Sequence, residues 1–247
     1  MNAPVSNAHH GITRLADWGV IRAQGADAAA FLHGQLTQDM LHIEPHEARL
    51  AGYCSAKGRL LATFVVWRAG PDELLLACSA DVLPATLKRL SMFVLRAKCK
   101  LSDASAEWPL YGVVGEVLAA SAWKVIDAHG GKAIRLPDAQ GHVRHLLALP
   151  SSVAPPTLAA LSATTWAQLE VASAVPRVVA ATAEQFVPQM INFELTGGVN
   201  FQKGCYPGQE IVARSQYRGT LKRRAQLFGV AALAQPGQEI FHSADPD

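Results

Sequence analysis

The feature that most constrains the fold is a series of short apolar segments separated by tight-turn residues. RLAGYCSAKGRLLATFVVWRAG, residues 49–70, predicts two strands joined at the turn Ser55-Ala56-Lys57-Gly58. ELLLACS, residues 73–79, predicts a third strand directly after them. Because neighbouring strands joined by such short connections pair antiparallel, this part of the chain predicts an antiparallel meander.

A strand and a helix are predicted ahead of the meander. Trp18 to Ala23 alternates between apolar and polar residues like a strand. Residues 25–40 follow with Asp27 as a plausible N-cap and apolar residues on one helical face. The residues on that face are Phe31, Leu32 and Leu36.

The middle of the chain adds more helices and strands. Residues 81–98 place apolar side chains at helical spacing and then become extended up to Ser102. Residues 132–149 predict a hairpin around the turn DAQG, and Pro155-Pro156 marks a break before a helical stretch that ends near Pro176. The predicted fold class is therefore α+β, with helices on mostly antiparallel sheets.

Composition limits the function classes. With 247 residues and 50% hydrophobic composition, the chain can bury one large core or two modest ones, and its net charge of +2 predicts no general attraction to nucleic acid or membrane. Neither a signal peptide nor a membrane span is apparent, so we expect a cytoplasmic protein without membrane contact. The four cysteines form no CxxC pair, and the spacing of His33, His42 and His46 matches no standard ligand set, so no metal site is predicted.

The least ordinary stretch is NFQKGCYPGQEIVARSQYRG, residues 200–219, which places Cys205 between Gly204 and Gly208. Pro207-Gly208 predicts a tight turn, and QEIVAR after it predicts a helical turn or the start of a strand. If the segment is helical, Cys205 lies near a positive helix end with Lys203 close by, and its thiolate is favoured. The alternative is that Cys205 is a small buried apolar residue. Spacing alone leaves both open.

A longer segment around this stretch carries a family resemblance. FVPQMINFELTGGVNFQKGCYPGQEIVARSQYRGTLKRR, residues 186–224, resembles the signature region of the folate-binding YgfZ family. These proteins are relatives of the glycine-cleavage T-protein and include the mitochondrial iron-sulfur assembly factors. FLHGQLTQDM and AGYCSAKGRLLATFVVWR resemble the early helix and hairpin of the same proteins, so the resemblance covers most of the chain.

The resemblance implies a T-protein-like (aminomethyltransferase) fold over residues 1–224. In that fold, interleaved, mostly antiparallel sheets and flanking helices surround a pocket for tetrahydrofolate or another reduced folate. Residues 225–247 would begin a C-terminal β-barrel, which is incomplete in this sequence. The implied role is that of a folate-dependent factor in iron-sulfur cluster assembly or repair, which supports tRNA-thiolating enzymes and works with iron-sulfur client or assembly proteins.

The same resemblance suggests the site. Cys205 is the candidate reactive thiol. The candidate folate-binding residues are Lys203, Gly204, Tyr206, Gln209, Glu210 and Arg214.

Two departures from the T-protein pattern bear on activity. Adjacent aspartates of T-proteins are matched here by Ala62 and Thr63, so aminomethyl transfer would lack its acid-base carboxylate. The pterin-binding glutamate is matched most closely by Ala172, with Glu170 displaced by two residues, which puts pterin recognition in question. The alternatives to the iron-sulfur role are a one-carbon (aminomethyl) transferase that uses tetrahydrofolate and a folate-binding scaffold without chemistry.

One local basic cluster follows the signature loop. It consists of Arg214, Arg218, Lys222, Arg223 and Arg224, with Tyr217 among them. Three interpretations remain open: weak contact with RNA phosphates, contact with a folate polyglutamate tail, and an ordinary solvated face.

Overall fold

A computed structural model describes residues 9–219, 222–230 and 232–240. The described part contains ten strands and four α-helices. The strands are β1 (Gly11–Arg14), β2 (Trp18–Gln24), β3 (Ala48–Cys54), β4 (Leu60–Gly70), β5 (Glu73–Ser79), β6 (Lys100–Asp103), β7 (Leu110–Val114), β8 (Val125–Ala128), β9 (Gly131–Ala139) and β10 (His142–Ala148). The helices are α1 (Ala28–His33), α2 (Leu83–Ser91), α3 (Ala163–Ala172) and α4 (Gln209–Tyr217), with 3₁₀ turns at Ala180–Thr182 and Pro188–Ile191.

The strands form two five-stranded antiparallel sheets that are interleaved along the chain. The first sheet has the order β3-β4-β5-β2-β6, and the second has the order β1-β7-β10-β9-β8. From residue 9 onward, the chain therefore enters the second sheet with β1, builds the whole first sheet and then returns to complete the second. The predicted α+β class, the meander β3-β4-β5 and the interleaving are confirmed.

One apolar core joins the two sheets. Buried side chains from the first sheet, such as Val65 and Trp67, share a cluster with Ile134 and Leu146 of the second. Trp166 of α3 packs into the same core, so this helix closes one side of the space between the sheets. The other face of the first sheet buries α1 and α2 in a separate cluster. The region between the sheets is consequently the place where residues from distant parts of the chain meet.

Helix α1 differs from its prediction at both ends. Asp27 occupies the N-cap position, but its carboxylate accepts a hydrogen bond from the backbone N–H of Lys98 at 2.7 Å instead of capping the helix. The helix ends at His33, so Leu36 does not lie on it. Leu36 is still fully buried because it pairs as an isolated bridge with Tyr53 of β3.

The C-terminal residues that the structure describes, 222–230 and 232–240, contain no strand. The division into a region 1–224 and the start of a barrel at 225–247 stays a prediction. Within the described ranges, no helix has the length and apolarity needed to cross a membrane.

Candidate functional site

A cavity lies between the two sheets, under helix α3. Its volume is about 40 Å³, and the space counted out into the open solvent at its mouth is about 450 Å³. Most of its wall is apolar or aromatic, with a few polar groups. Its lining includes Trp18, Leu50, Thr63, Trp123, Arg144, Glu170 and Arg177.

Glu170 supplies the carboxylate of this cavity. On α3 it follows Trp166 by one helical turn, so both side chains face the sheets. Its side chain is 19% exposed, and Oε2 lies 3.5 Å from Nη2 of Arg177. Burial raises the pKa of Glu170, although Arg177 works in the opposite direction. Among the described residues that line the cavity, Glu170 is the only one with a carboxylate.

The position of Glu170 changes one expectation. Ala172, the closest sequence match to the pterin-binding glutamate, is not among the lining residues, whereas Glu170 is. Two residues correspond to about 200° around a helix, so the two side chains face different directions. Glu170, two residues before the position that matches the pterin-binding glutamate, therefore places its carboxylate in the cavity.

Arg144 is a buried cation in the cavity wall. It is 1% exposed, and its Nε and Nη2 both donate to the carbonyl of Pro137, at 3.3 and 3.2 Å. The guanidinium lies 5.4 Å from the ring centre of Trp166, while Nη1 has no partner among the described residues. Burial lowers the pKa of Arg144 to about 10, which still leaves it charged at neutral pH.

The indole of Trp18 adds a second donor without a partner. Its Nε1 is buried and has no acceptor in the described part of the chain. The guanidinium of Arg177 lies over the ring at 4.8 Å and donates to the Asp17 carboxylate at 2.7 Å. Trp18 is thus fixed in place with its N–H unsatisfied, which is unfavourable unless a ligand or water accepts from it.

The two positions that match the T-protein aspartates face opposite sides of β4. Thr63 lines the cavity, and its Oγ1 accepts a hydrogen bond from the backbone N–H of Val178 at 3.0 Å. Ala62 packs on the other face, in the cluster beneath α1 and α2. Neither position supplies an acid-base group, because an alcohol does not ionise near neutral pH.

In the signature loop, Lys203 is held by backbone carbonyls. Its Nζ donates to the carbonyl oxygens of His33 and, at 2.7 Å, of Leu36. Nζ also lies 5.0 Å from the ring centre of Tyr206, which is buried. Burial lowers the pKa of Lys203 to about 8. Lys203 therefore ties the loop to the end of α1.

Cys205 is exposed, so the interpretation as a buried apolar residue is wrong. The residues after Pro207-Gly208 form helix α4, and Cys205 lies four positions before its first residue, Gln209. Gly204, Glu210 and Arg214 are also exposed, and Gln209 is partly buried. None of the predicted site residues is among those lining the cavity, so the structure separates the signature loop from it. Their roles stay predictions.

A second, polar pocket lies between the cavity and the segment before β3. It shares Leu50 and Trp123 with the cavity and includes Asp39, Arg49 and Asn200. Asp39 accepts hydrogen bonds from His33 Nδ1 at 3.0 Å and from His42 Nδ1 at 2.7 Å. Through Leu50 and Trp123 this pocket adjoins the cavity, and Asn200 at its edge belongs to the signature stretch.

The predicted basic cluster loses one member. Nη1 of Arg224 forms an ion pair with Glu194 and donates to the carbonyl of Gln189 at 3.0 Å. Arg214, Arg218 and Arg223 are exposed. The charge of Arg224 is therefore compensated within the protein.

Two interleaved antiparallel sheets around a central cavity define an α+β protein of the T-protein type. The fold is similar to the crystal structure of glycine cleavage system aminomethyltransferase T from Bartonella henselae, with a TM-score of 0.66 and 13% identity. The similarity covers 87% of this chain and 65% of that one. It shows the fold and confirms the T-protein-like architecture.

Two relatives identify the family. The chain is 34% identical over 261 residues to the tRNA-modifying protein YgfZ of Edwardsiella ictaluri, covering 94% of this chain and 75% of the relative. It is 30% identical over 246 residues to the protein of the same name from Photobacterium profundum, covering 91% and 71%. The chain belongs to the YgfZ family. No protein-family model matches it.

The sequence did not indicate Trp18 or Arg144 as site residues. Trp18 was interpreted only as the start of a strand. Arg144 and His145 are consecutive polar residues inside the apolar segment HVRHLLAL. Because neighbouring strand residues face opposite sides, one of the two must face the core. This alternation is the feature of the sequence that indicates a buried polar side chain here.

Proposed function

We propose that the protein binds a reduced folate in the central cavity and uses it in a tRNA-modification role through iron-sulfur enzymes. The observation that carries the proposal is the cavity itself, with Glu170 buried in an otherwise apolar and aromatic wall. A mostly apolar wall with a few convergent polar groups is typical of small-molecule sites. The tRNA context comes from the names of the YgfZ relatives.

The wall groups fit a pterin. A carboxylate can accept two N–H donors at once, and the pterin ring presents such a pair at N3 and its 2-amino group. The flat ring suits a narrow space bounded by Trp18 and Trp123. Oε2 of Glu170 faces Arg177 at 3.5 Å.

In this proposal Cys205 lies on a second functional surface, separate from the cavity. Because the thiol is exposed and lies outside the cavity lining, it is suited to contact a partner protein, such as an iron-sulfur client or assembly protein. We expect Cys205→Ser to keep the fold and folate binding but to fail in restoring iron-sulfur enzyme activity in cells that lack the protein. Full complementation would leave the folate-binding scaffold as the better description.

The aminomethyl transferase alternative is less well supported. Thr63 offers a hydroxyl, already hydrogen-bonded to Val178, where acid-base chemistry would need a carboxylate. Incubation with an aminomethyl-loaded carrier protein and tetrahydrofolate distinguishes the two. Release of ammonia and methylenetetrahydrofolate at an enzymatic rate would favour the transferase.

Calorimetric titration with tetrahydrofolate and folinic acid tests the folate site. We expect Glu170→Gln to weaken binding by about 10-fold or more, because loss of a charged acceptor removes about 1.5–3 kcal/mol. Glu210→Gln tests the other placement, at the signature loop, since Glu210 is a candidate folate-binding residue and is exposed on α4. If Glu210→Gln weakens binding and Glu170→Gln does not, the folate lies at the signature loop. Absence of binding to any reduced folate would overturn the assignment.

A further inference from the structure

The cavity contains more hydrogen-bond donors than its own acceptors use. Nη1 of Arg144 and Nε1 of Trp18 are both buried, and neither has a partner among the described residues. Arg144 is 1% exposed, so bulk water does not compensate its guanidinium. A buried donor without an acceptor is destabilising, and a charged one more so. Two such groups in the wall of one cavity indicate a missing acceptor.

The neighbouring wall residues do not provide that acceptor. The hydroxyl oxygen of Thr63 already accepts from the backbone of Val178. The carboxylate of Glu170 faces Arg177 through Oε2. Nη1 and Nη2 of Arg177 already donate to Asp17, Ser79 and Glu170. The pattern left for a ligand is therefore two donors, from Arg144 and Trp18, and one carboxylate acceptor.

We propose that Arg144 and Trp18 determine ligand specificity by donating hydrogen bonds to a ring carbonyl oxygen, so that the cavity selects 4-oxo pterins and rejects 4-amino pteridines. The inference rests on the proposed function, because it takes the ligand of the cavity to be a reduced folate. It adds which edge of the ring is recognised and by which residues.

The chemistry of the two ring types explains the selection. A 4-oxo pterin presents an acceptor at O4 beside the N3–H donor, which complements the Arg144 and Trp18 donors and the Glu170 carboxylate. A 4-amino pteridine presents N–H donors at C4 and a lone pair at N3. Donors would then face donors, and the carboxylate of Glu170 would face a lone pair. A site built to hydrogen-bond one group discriminates strongly against an analogue that cannot form those bonds.

The experiment uses tetrahydrofolate and its 4-amino analogue, tetrahydroaminopterin, which differ at C4 in the group that meets the donors. Calorimetry on the full chain should give at least about 100-fold weaker binding for the 4-amino compound. Trp18→Phe keeps an aromatic ring and removes the N–H. We expect it to reduce the ratio of the two dissociation constants, 4-amino compound over tetrahydrofolate, by about 10-fold. Trp108→Phe is the control, because Trp108 lies outside the cavity lining, and it should leave the ratio unchanged.

Arg144→Met gives a second variant. It replaces the buried cation by an apolar side chain of similar length, and urea unfolding verifies that the variant is folded. We expect weaker tetrahydrofolate binding and a smaller ratio between the dissociation constants of the 4-amino compound and tetrahydrofolate. Equal binding of both compounds by the unmodified protein would overturn this inference and leave the folate site standing. Binding of neither compound would overturn the proposed function as well.

Discussion

Burial separates the cysteine side chains into different chemical environments. Cys54 and Cys78 are buried in strands, and burial raises the pKa of each thiol to about 12. Cys99 is partly buried, and burial raises the pKa of its thiol too, whereas Cys205 is exposed. Alkylation needs an accessible thiolate, so burial protects Cys54 and Cys78 both by covering the sulfur and by raising its pKa.

We expect limited iodoacetamide at pH 7 to label Cys205 first. At a pKa of about 12, roughly one thiol in 100,000 is ionised at pH 7, so Cys54 and Cys78 should react only after unfolding. Cys99 should react more slowly than Cys205. Peptide mapping by mass spectrometry at several times measures the order. Equal labelling of all four cysteines in the folded protein would contradict the assignment of a distinct thiol.

Asp39 links its histidine neighbours to stability in acid. Burial alone would raise the pKa of Asp39, but hydrogen bonds from the ring and backbone of His42 and from the backbone of Leu41 outweigh it and lower the pKa to about 2. The folded state therefore binds the proton less readily than the unfolded state, whose value is 3.8. The stabilisation is present above about pH 4 and is lost as the pH falls through about 2.

Asp39→Asn should accordingly lower the free energy of unfolding by about 2 kcal/mol at pH 6. The difference from the unmodified protein should shrink between pH 4 and pH 2. Asp127→Asn is the control, because Asp127 is 82% exposed in its ion pair with Lys132 and should have a small effect. Urea unfolding at several pH values measures both. A difference that stays constant down to pH 2 would show that the carboxylate charge is not responsible.

At the scale of elements, the start of α4 depends on a close contact with the β3–β4 turn. Gly208 has φ +77°, and a Cβ there would lie 2.3 Å from the carbonyl oxygen of Ser55 and 2.6 Å from the backbone nitrogen of Gly58. Only glycine permits both the left-handed conformation and this approach. The contact fixes the loop that contains Lys203 and Cys205 against the first sheet.

Gly208→Ala should therefore destabilise the protein more than a positive φ alone explains. Gly141 is the matched control, since its φ is +79° and a Cβ there would meet nothing within 4 Å. We expect Gly141→Ala to lower the free energy of unfolding by about 1–2 kcal/mol and Gly208→Ala to lower it further. Urea unfolding compares the two, and hydrogen exchange of α4 locates the effect. Equal losses would mean that the contact with the turn does not hold the helix.

Elements were predictable from the sequence where burial alternates regularly. Strands β3, β4 and β5 bury one face in the core between the sheets and the other in the cluster of α1 and α2. Their apolar segments, separated by short turns, therefore predict the meander. The site was less predictable, because its residues meet only through tertiary packing. Whether Ala172 or Glu170 faces the cavity depends on the orientation of α3, which the sequence does not give. Lys203 donates to the carbonyls of His33 and Leu36, which lie about 170 residues earlier in the sequence.

At the scale of the whole molecule, a net charge of +2 leaves any polyanion to be bound by a local surface. Arg214, Arg218 and Arg223 provide such a surface. If they contact RNA phosphates, the logarithm of affinity should fall with the logarithm of salt concentration, with a slope of about 2 to 3 for three contacts. The triple alanine variant should lose most of that slope in a fluorescence-anisotropy titration with tRNA. Affinity independent of salt concentration would show that these residues do not contact phosphates and form an ordinary solvated surface.

Arg224 should behave differently from its three neighbours. Its partner Glu194 has a side chain that is only 4% exposed, so Arg224→Ala would leave a buried carboxylate without its cation. We expect a loss of about 1–3 kcal/mol in the free energy of unfolding, measured with urea, and little change in the salt slope. A salt slope reduced as much as by Arg218→Ala would place Arg224 among the ligand contacts instead.

The interleaving of the two sheets has a consequence for how the chain is made. Gly11 of β1 pairs with Val114 of β7, so the first strand leaves the ribosome roughly a hundred residues before its partner. Strands β2 to β6 can assemble meanwhile, and β1 must wait as an unpaired arm until the second sheet forms. Contacts of such long sequence separation form slowly. The cavity exists only once both sheets are in place, so a ligand bound there can stabilise the finished protein but cannot guide the nascent chain.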